Sequence, residues 1–372
     1  MNILWLTWKD VEHPDAGGAE LVASELCKRL LLDKHQVTML TCRYPGADRE
    51  SVLNGVHVTR VGNSRYSHPA MALAYYLRRM HNQFDYLIEE VNGGAPYFSV
   101  LFAGKARKFM LYHQLARVNW LYEIKRPFNY VGYYGLVPFA TKLASVSRPS
   151  VITVSDSTKQ ALIKHGFNPH RIHVISEGIT LEPVRNLDAI KKYQRPTLLS
   201  LGAMRHMKRT ADHISAFEIA KRSIPKLQLK VAGSADTAYG KQVLKRIDQS
   251  PFRSSIEYLG KVNDEDKVSL MQRSHVILQT AIEEGWGLTI TEAASQGTPA
   301  VAYNVAGLRD SIKHGVTGLT TEEHPNALAA GIVQALQRPE TYESMRWSGW
   351  EWSKQITFDQ SYKDFLHILQ TA

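Results

Sequence analysis

The sequence has 372 residues, of which 44% are hydrophobic and 22% are charged. This length allows two domains of ordinary size, and the apolar content excludes extensive disorder. The two cysteines lack the spacing of metal ligands and are typical of reduced thiols in the cytosol. The apolar run at the start is too short and wrongly flanked for a secretory signal, so we expect a cytoplasmic protein.

The formal net charge of +10 is concentrated in one segment. From Lys105 to Arg171 there are eleven lysines and arginines, including Arg117, against two acidic residues, Glu123 and Asp156. A solvated surface with some phosphate contacts explains this excess. A face that meets an anionic membrane or a diphosphate-bearing acceptor explains it as well. The charge has no accompanying nucleic-acid motif, so we expect no nucleic acid as a partner.

Segments with the character of strands and helices alternate through the first half of the sequence. Two amphipathic helices are predicted at Ala19–Leu32 and Ser157–Lys164, the second opening with a capping residue. The predicted strands are Ile3–Thr7, Gln36–Thr41, Val56–Val61, Tyr86–Glu90, Lys108–Tyr112, Val151–Val154 and His173–Ile175. Alternation of this kind predicts a parallel sheet with helices on both faces.

One stretch of the first half, Phe128–Thr141, is uncharged and rich in aromatic residues. It contains Pro138 and is shorter than the roughly 20 apolar residues that a membrane-spanning helix needs. A buried helix accounts for this stretch. A lipid-facing element beside the basic segment accounts for it too, because aromatic and basic side chains suit the membrane interface.

The alternation starts again in the second half. The predicted strands are Thr197–Leu201, Gln228–Ala232, Ile256–Tyr258, Val276–Gln279 and Ala300–Ala302. The least periodic stretch between the halves is Leu181–Pro196, where we place a hinge, and after Asn326 the sequence is helical in character. The predicted organisation is a first domain over 1–180, a hinge over 181–196, a second domain over 197–345 and terminal helices over 346–372.

Two glutamates flank a glycine turn in the second half. Glu284 and Glu292 are eight positions apart, and a helical pattern begins between them. The turn consists of Gly285, Trp286, Gly287 and Leu288. Backbone N–H groups at such a helix start attract a diphosphate, whereas carboxylates accept hydrogen bonds from hydroxyl groups. We therefore expect a nucleotide-sugar site in which Glu292 binds the ribose and Glu284 holds a sugar ring.

Cations follow the first predicted strand of the second half. Arg205 and Lys208 come shortly after Gly202, and their charge suits the neutralisation of a departing nucleoside diphosphate. Ligands of doubly wound sheets bind beyond the carboxyl ends of the strands. We therefore expect a ligand-binding cleft between the two domains. The residues expected to line it are Gly17, His113, Gly202, Gly233 and Glu284.

The stretch from Glu284 to Gly318 resembles the donor-binding half of the retaining glycosyltransferases of family 4, which have the two-domain GT-B fold. Four further patches carry the resemblance in the same order: Gly17-Gly18-Ala19-Glu20, His113, Val154-Ser155 before Lys159, and Gly202 through Lys208. It implies two Rossmann-like doubly wound α/β domains that face each other across a cleft. It also implies that the last helix crosses back to the first domain, where Trp347, Trp350 and Trp352 are expected to pack.

The resemblance also implies roles for single residues. Lys208 contacts the donor diphosphate, and so does Arg205, although many relatives have the arginine where this sequence has Ala203. His113 hydrogen-bonds the donor's sugar and stabilises charge, and Val262 lies where relatives hold the nucleobase. In relatives an asparagine commonly occupies the position of Glu177.

Three other elements have structural explanations beside the functional ones. The backbone of Gly17 and Gly18 is expected to pass close to a diphosphate or the acceptor, but a tight turn with positive φ explains these glycines equally well. Ser155 and Lys159 resemble the family's strand-to-helix element beside the cleft, but helix capping and surface exposure explain them as well. The acidic run 264–266 resembles the metal-binding triplet of other glycosyltransferases, but it opens a helical pattern where capping accounts for it, so we expect no metal.

The function implied is that of a retaining hexosyltransferase that uses a UDP- or GDP-linked sugar and no further cofactor. Its expected acceptor is a lipid-linked or cell-envelope saccharide, with the protein peripheral on the inner membrane face; a soluble sugar or glycan is the alternative. A non-catalytic nucleotide-sugar-binding regulator is a competing class, which Glu284, Glu292 and Lys208 together disfavour. A dinucleotide oxidoreductase is disfavoured because no Gly-x-Gly-x-x-Gly motif follows the first strand.

Overall fold

The computed structural model describes residues 1–64, 67–92, 96–115 and 118–372. Arg117 of the basic segment lies outside these residues, and so does the side chain of Glu123. The described chain forms two compact units. The first consists of residues 1–178 and 358–372, and the second of residues 179–357.

The strands and helices alternate along the chain as a doubly wound fold requires. The strands are β1 (Asn2–Leu6), β2 (Gln36–Thr41), β3 (Glu50–Leu53), β4 (Val56–Arg60), β5 (Tyr86–Asn92), β6 (Arg107–Gln114), β7 (Ser150–Thr153), β8 (Ile172–Val174), β9 (Thr197–Leu201), β10 (Gln228–Ala232), β11 (Ile256–Gly260), β12 (Val276–Gln279), β13 (Ala300–Tyr303) and β14 (Gly318–Thr321). The α-helices are α1 (Gly18–Leu32), α2 (His68–Tyr75), α3 (Asn119–Glu123), α4 (Phe128–Tyr130), α5 (Val137–Val146), α6 (Asp156–Lys164), α7 (Thr210–Ser223), α8 (Ala238–Asp248), α9 (Asp264–Arg273), α10 (Leu288–Ser295), α11 (Pro325–Gln337), α12 (Pro339–Ser353) and α13 (Phe358–Thr371).

The sheet of the first unit has the strand order β3-β4-β2-β1-β5-β6-β7-β8, and among these described strands only the β3–β4 pair is antiparallel. Alternate residues of β1 enter different cores. Ile3 and Trp5 pack with α1 and α13, whereas Leu4 and Leu6 pack with residues of α2. Both faces of the strand are therefore buried, which explains its continuous apolar run.

The sheet of the second unit has the order β11-β10-β9-β12-β13-β14, and its described pairs are all parallel. All four residues of β12 are buried at its centre. Parallel order brings the carboxyl ends of β9, β10 and β12 to one edge of the sheet. The loops that follow these strands therefore lie close together.

The structure differs from the predicted organisation between the halves. Segment 181–196 lies inside the second unit rather than outside it. The Val184 N–H donates to the Ser295 carbonyl at 3.0 Å, and the Trp350 indole donates to the Val184 carbonyl at 2.9 Å. Although this segment lacks periodicity, its backbone is held by partners from α10 and α12.

The predicted boundary between the second domain and the terminal helices was residue 346, but in the structure the second unit continues to residue 357. Helix α12 belongs to the second unit, and its Trp352 ring lies 6.1 Å from that of Trp286 between centroids. Only α13 belongs to the first unit, where Phe365 contacts the ring of Trp5. The tryptophans of α12 consequently pack in the second unit and not, as expected, in the first.

The predicted alternation of strands and helices is confirmed, with small shifts at element ends. Strands β3 and β14 were not predicted, because both are short and carry polar residues at half or more of their positions. In the described part of the chain, the helices are too short or too polar to cross a membrane.

Candidate functional site

Two glycines shape the loops after β9 and β10. Gly202 has φ of +135° and Gly233 has φ of +145°, values that favour glycine. A Cβ atom on Gly233 would collide with the carbonyl oxygen of Gly202, whereas one on Gly202 would meet open space. Gly233 is therefore required by the close approach of the two loops, which leaves the Gly202 backbone accessible.

The loop that carries the predicted cations is held by its neighbours. The Ile282 N–H donates to the Met207 carbonyl at 2.9 Å, and the Thr280 hydroxyl donates to the Lys208 carbonyl at 2.9 Å. Residues 206–208 form a short 3₁₀ turn. These bonds tie the backbone of Lys208 to the segment that leads into the glutamate turn.

The structure brings Lys208 and Glu284 together. The Lys208 ammonium donates to the Glu284 carboxylate, and both side chains remain partly exposed. A pair with this exposure contributes little to stability. Arg205 is exposed, and among the described residues no carboxylate forms an ion pair with it. Its guanidinium is thus free to bind an anion, while its contact with the donor stays a prediction.

The glycine turn has the conformation that a helix start needs. Gly287 has φ of +94° and is the N-cap of α10, so the first N–H groups of this helix have no partners within the helix. Trp286 is buried and its indole donates to the Thr291 hydroxyl at 3.1 Å. The turn is anchored by this side chain, and its backbone at Gly285, Gly287 and Leu288 is only partly covered.

A further glycine, Gly307, fixes the backbone of Glu284. Its φ is +81°, and a Cβ atom there would collide with the Glu284 carbonyl. The Glu284 N–H in turn donates to the Ala306 carbonyl at 3.1 Å. Sequence analysis missed this residue, because nothing in its local sequence indicates which distant segment it approaches.

Glu292 lies one helical turn into α10 and is 7% exposed. Its carboxylate accepts from the Lys267 ammonium at 2.8 Å, so the buried charge is compensated. Lys267 was not predicted as a site residue.

Val262, the predicted nucleobase contact, is partly buried against the core of the second unit.

Glu283 is another residue that sequence analysis missed. Burial, with a smaller contribution from the Glu284 charge, raises the pKa of the Glu283 carboxyl to about 7. A titratable group near neutral pH beside a candidate substrate ligand is typical of functional sites. The sequence feature that could have indicated Glu283 is its position directly before Glu284 at the start of the turn.

The acidic run that opens α9 has a structural role. Asn263 caps the helix by accepting from the Asp266 N–H at 2.8 Å. Asp264, Glu265 and Asp266 occupy the first turn, where carboxylates complement the helix dipole. Capping and the dipole therefore account for all three acids.

In the first unit, Gly17 and Gly18 begin α1. Gly17 has φ of −143°, so positive φ does not explain this glycine. Its N–H donates to the Glu20 carboxylate at 2.7 Å, and the other oxygen of Glu20 lies 3.3 Å from the Lys9 ammonium. Both glycines are exposed. Neither the Gly17–Glu20 hydrogen bond nor the Lys9–Glu20 ion pair requires glycine at position 17. The predicted approach to a ligand stays a prediction.

His113 is buried between two carboxylates. Its Nδ1 lies 2.8 Å from Glu177 Oε1, and its Nε2 lies 3.2 Å from Glu90 Oε1. The other oxygen of Glu90 accepts from the Trp5 indole at 2.6 Å. Burial alone would lower the pKa of the His113 imidazole, but the two glutamates raise it to about 10. The ring is therefore a cation that donates from both nitrogens.

This arrangement changes what His113 offers a sugar. Both of its ring nitrogens are hydrogen-bonded to glutamates, so the ring can bond a sugar hydroxyl directly only if one of these two hydrogen bonds is broken.

Ser155, another residue of the resemblance, accepts from the Thr158 N–H at 3.2 Å and caps α6. That cap accounts for Ser155, and no contact distinguishes Lys159 as a site residue in the described structure.

Within the second unit the structure thus gathers the cation loop, the glutamate turn and α10 at one edge of the sheet. Lys208, Glu284 and the start of α10 are close to one another through the contacts given above. Gly17, Gly18 and His113 belong to the first unit.

Two family models match the chain one after the other. Residues 16–183 match the model described as Glycosyltransferase Family 4, and residues 187–352 match Glycosyl transferases group 1. Together they cover nearly all of the chain from residue 16 to residue 352.

Similar proteins support the same assignment. An uncharacterized glycosyltransferase of Methanocaldococcus jannaschii is 25% identical over 375 residues, covering 90% of this chain and 89% of the relative. Sucrose-phosphate synthase from Thermosynechococcus elongatus has a TM-score of 0.79 at 17% identity, covering 99% of this chain and 98% of that one. Anabaena HepE in complex with UDP-glucose has a TM-score of 0.73 at 18% identity and covers 100% of both chains. These structures confirm the predicted fold class of two parallel-sheet α/β domains.

Proposed function

Because this chain belongs to the family 4-like glycosyltransferases with the GT-B fold, we propose that it moves a hexosyl group from a nucleoside diphosphate sugar to an acceptor hydroxyl, with retention of configuration. The observation that carries the proposal is the contact between Lys208 and Glu284 beside the start of α10. One group has the charge to bind a phosphate, and the other accepts hydrogen bonds from sugar hydroxyls.

Each group in the second unit has a role in this proposal. Departure of the leaving group places negative charge on the diphosphate, which Lys208, Arg205 and the N–H groups of α10 stabilise. Glu284 orients the transferred sugar, and Glu292 accepts hydrogen bonds from the ribose. The anomeric carbon gains oxocarbenium character as the bond to the diphosphate lengthens.

Retention follows in this proposal without a protein nucleophile. The departing phosphate takes the proton of the acceptor hydroxyl, and the acceptor oxygen attacks the same face of the sugar that the phosphate leaves. Product stereochemistry measured by NMR tests this step. An inverted product, or a trapped covalent glycosyl-enzyme, contradicts it.

The donor is tested by thermal shift with UDP, GDP, ADP and their sugar conjugates. A ligand bound only by the folded protein raises its melting temperature. We expect one nucleotide series to stabilise the chain and its sugar conjugate to support transfer or slow hydrolysis. Binding without any turnover favours a non-catalytic nucleotide-sugar regulator instead, and no shift with any of these ligands contradicts both.

We propose further that the acceptor is lipid-linked and met at an anionic membrane surface. This rests on residues 128–139, where Phe128, Tyr134 and Phe139 are each 68–69% exposed. We call these three residues and Tyr130 the aromatic face. It lies on α4, α5 and the π-helical turn between them, Val131–Leu136.

The packing of these helices is the reverse of an ordinary amphipathic helix. Their buried positions are mostly small, and include Gly132, Ala140 and Ala144, while the large rings point to solvent. Nearby cations such as Lys125, Arg126 and Lys142 are exposed too. Exposed rings beside cations fit the interfacial region of an anionic bilayer.

Sedimentation with vesicles tests this part. We expect pelleting with phosphatidylglycerol vesicles at low salt, little pelleting with neutral phosphatidylcholine, and release as salt is added. Phe128→Ser with Phe139→Ser should remain in the supernatant, whereas Leu32→Ser, which changes an exposed apolar residue of α1, should pellet normally. Equal pelleting with neutral vesicles, or none at all, favours a soluble sugar or glycan acceptor.

A further inference from the structure

A cavity of about 830 Å³ opens at the amino-terminal edge of the second unit's sheet. Thr197, Gln228 and Ile256 line it, and each is the first residue of its strand. Gly202 and Gly233 follow the other ends of two of these strands. Because a five-residue strand is about 13 Å long, this cavity is separate from the candidate donor site.

The wall of this cavity is strongly basic. It carries five basic residues, Lys192, Arg195, Lys230, Arg253 and Arg273, and its one acidic residue is Glu257. Some of this charge is already engaged. The Lys192 ammonium donates to Ser274 and Gly297 carbonyls at 2.8 and 2.7 Å, and Lys230 pairs with Glu257.

Arg195 and Arg273 are different from these cations. Both are exposed, and in the part of the chain that the structure describes no carboxylate lies within ion-pair distance of either. Arg253 is paired with Asp248 at 3.1 Å, but both of those side chains are largely exposed. The cavity therefore holds an excess of positive charge that its own acids do not compensate.

Tyr193 fixes two of the cations on the wall. The Arg273 guanidinium lies 4.3 Å from its ring centroid, and the Lys230 ammonium lies 4.9 Å from it. The Tyr193 N–H also donates to the Arg273 carbonyl at 2.9 Å. Cations held on an aromatic ring are oriented in advance, which lowers the entropy lost when an anion binds.

We infer that this cavity is a second anion site, which binds a phosphate ester through Arg195 and Arg273. The planar donors of a guanidinium match the oxygens of a phosphate group. The volume lies within the range of about 300 to 1,000 Å³ that small-molecule sites occupy, and Ser254 and Ser255 supply hydroxyls for the rest of the ligand. The ester is either a soluble sugar phosphate or a phospholipid headgroup, and the inference does not depend on the proposed transfer reaction.

Calorimetry on the full chain tests this site, with glucose 6-phosphate and phosphatidylglycerol vesicles as separate probes and glucose as the neutral control. We expect one phosphate probe to bind at low salt and to protect residues 192–195 and 253–258 from hydrogen exchange. The probe that binds identifies the source of the phosphate ester.

The matched variants are Arg195→Gln with Arg273→Gln, and Arg222→Gln as the control on α7, which has an exposed arginine outside the cavity. We expect the double variant to bind the active probe at least tenfold more weakly and the control to bind it unchanged. Both arginines are exposed, so the double variant should melt as the unaltered protein does. Failure of both phosphate probes, equal binding by glucose, or equal affinity of the double variant overturns the inference.

Discussion

Glu177 accepts a hydrogen bond from His113 at 2.8 Å and, together with Glu90, keeps the buried imidazole charged. The three side chains come from positions far apart in the sequence: β5, β6 and the segment after β8. An asparagine at position 177 would accept a hydrogen bond without supplying charge. This chain therefore holds its histidine by two carboxylates, and Glu177 supplies a charge that the asparagine implied by the family resemblance would not.

Glu177→Gln should make the first unit less stable at neutral pH. The pKa of His113 is raised from 6.5 to about 10, so its stabilising contribution is complete below about pH 6.5 and is lost as the pH rises through about 10. We expect the variant to lose on the order of 2 kcal/mol near pH 7, and its difference from the unaltered protein to shrink toward pH 10. Urea unfolding from pH 6.5 to 10 measures this, with Glu50→Gln as the exposed control. A difference that is constant with pH contradicts a charged His113.

Lys208→Ala should reduce catalysis with little effect on folding. Loss of one group that stabilises leaving-group charge lowers kcat by about 10² to 10³, and the pair with Glu284 is too exposed to matter much for stability. Initial rates with the donor found by thermal shift measure the change. Lys241→Ala, which alters an exposed lysine of α8, should keep full activity. Normal rates for Lys208→Ala would remove this residue from the mechanism.

Glu292→Gln should weaken binding only where ribose hydroxyls are present. We expect about a tenfold loss of affinity for the ribonucleoside diphosphate, because a carboxylate accepts from hydroxyls more strongly than an amide does. The deoxyribose analogue should bind the variant and the unaltered protein equally. Calorimetry with the two ligands gives the coupling between Glu292 and the hydroxyl. Equal losses for both ligands would mean that Glu292 acts through Lys267 or the fold.

Glu283→Gln should stabilise the protein above neutral pH. The pKa of this carboxyl is raised from 4.5 to about 7, so ionisation in the folded state lowers stability as the pH rises from 4.5 to 7. The variant should be more stable above pH 7 by on the order of 2 kcal/mol and equal to the unaltered protein near pH 4.5. Melting temperatures across this range test the prediction, with Glu322→Gln as the exposed control. The same or lower stability at pH 8 contradicts a buried, destabilising charge.

Gly233→Ala should destabilise the second unit by about 2 to 5 kcal/mol. The added Cβ collides with the Gly202 carbonyl, and φ of +145° strains any other residue. Gly349→Ala in α12 is the control, because its Cβ would have ordinary contacts of 3.5 Å or more, and alanine favours a helix. Thermal unfolding distinguishes the two variants. Similar melting temperatures would show that the two loops separate easily.

The sequence alone located the buried strands and the glutamate turn. β2, β9, β10 and β12 have the predicted bounds. Nearly every residue of β9 and β12 is buried, whereas β2 and β10 begin with alternating partly exposed and buried positions, and both patterns are typical of strands. The helix start at Gly287 was also local in origin, since glycine favours the positive φ of its N-cap. Family resemblance then related these elements to a fold whose two sheets the structure confirms.

Only the tertiary structure paired the charged groups. Lys208 and Glu284 are 76 positions apart, and His113 and Glu177 are 64 apart. Such contacts depend on strand order and loop path, which local periodicity does not encode. Packing likewise decided that the aperiodic segment 181–196 belongs to the second unit and that α12 does too. Sequence patterns report which residues need burial, whereas the partner of each buried charge is determined when distant segments meet.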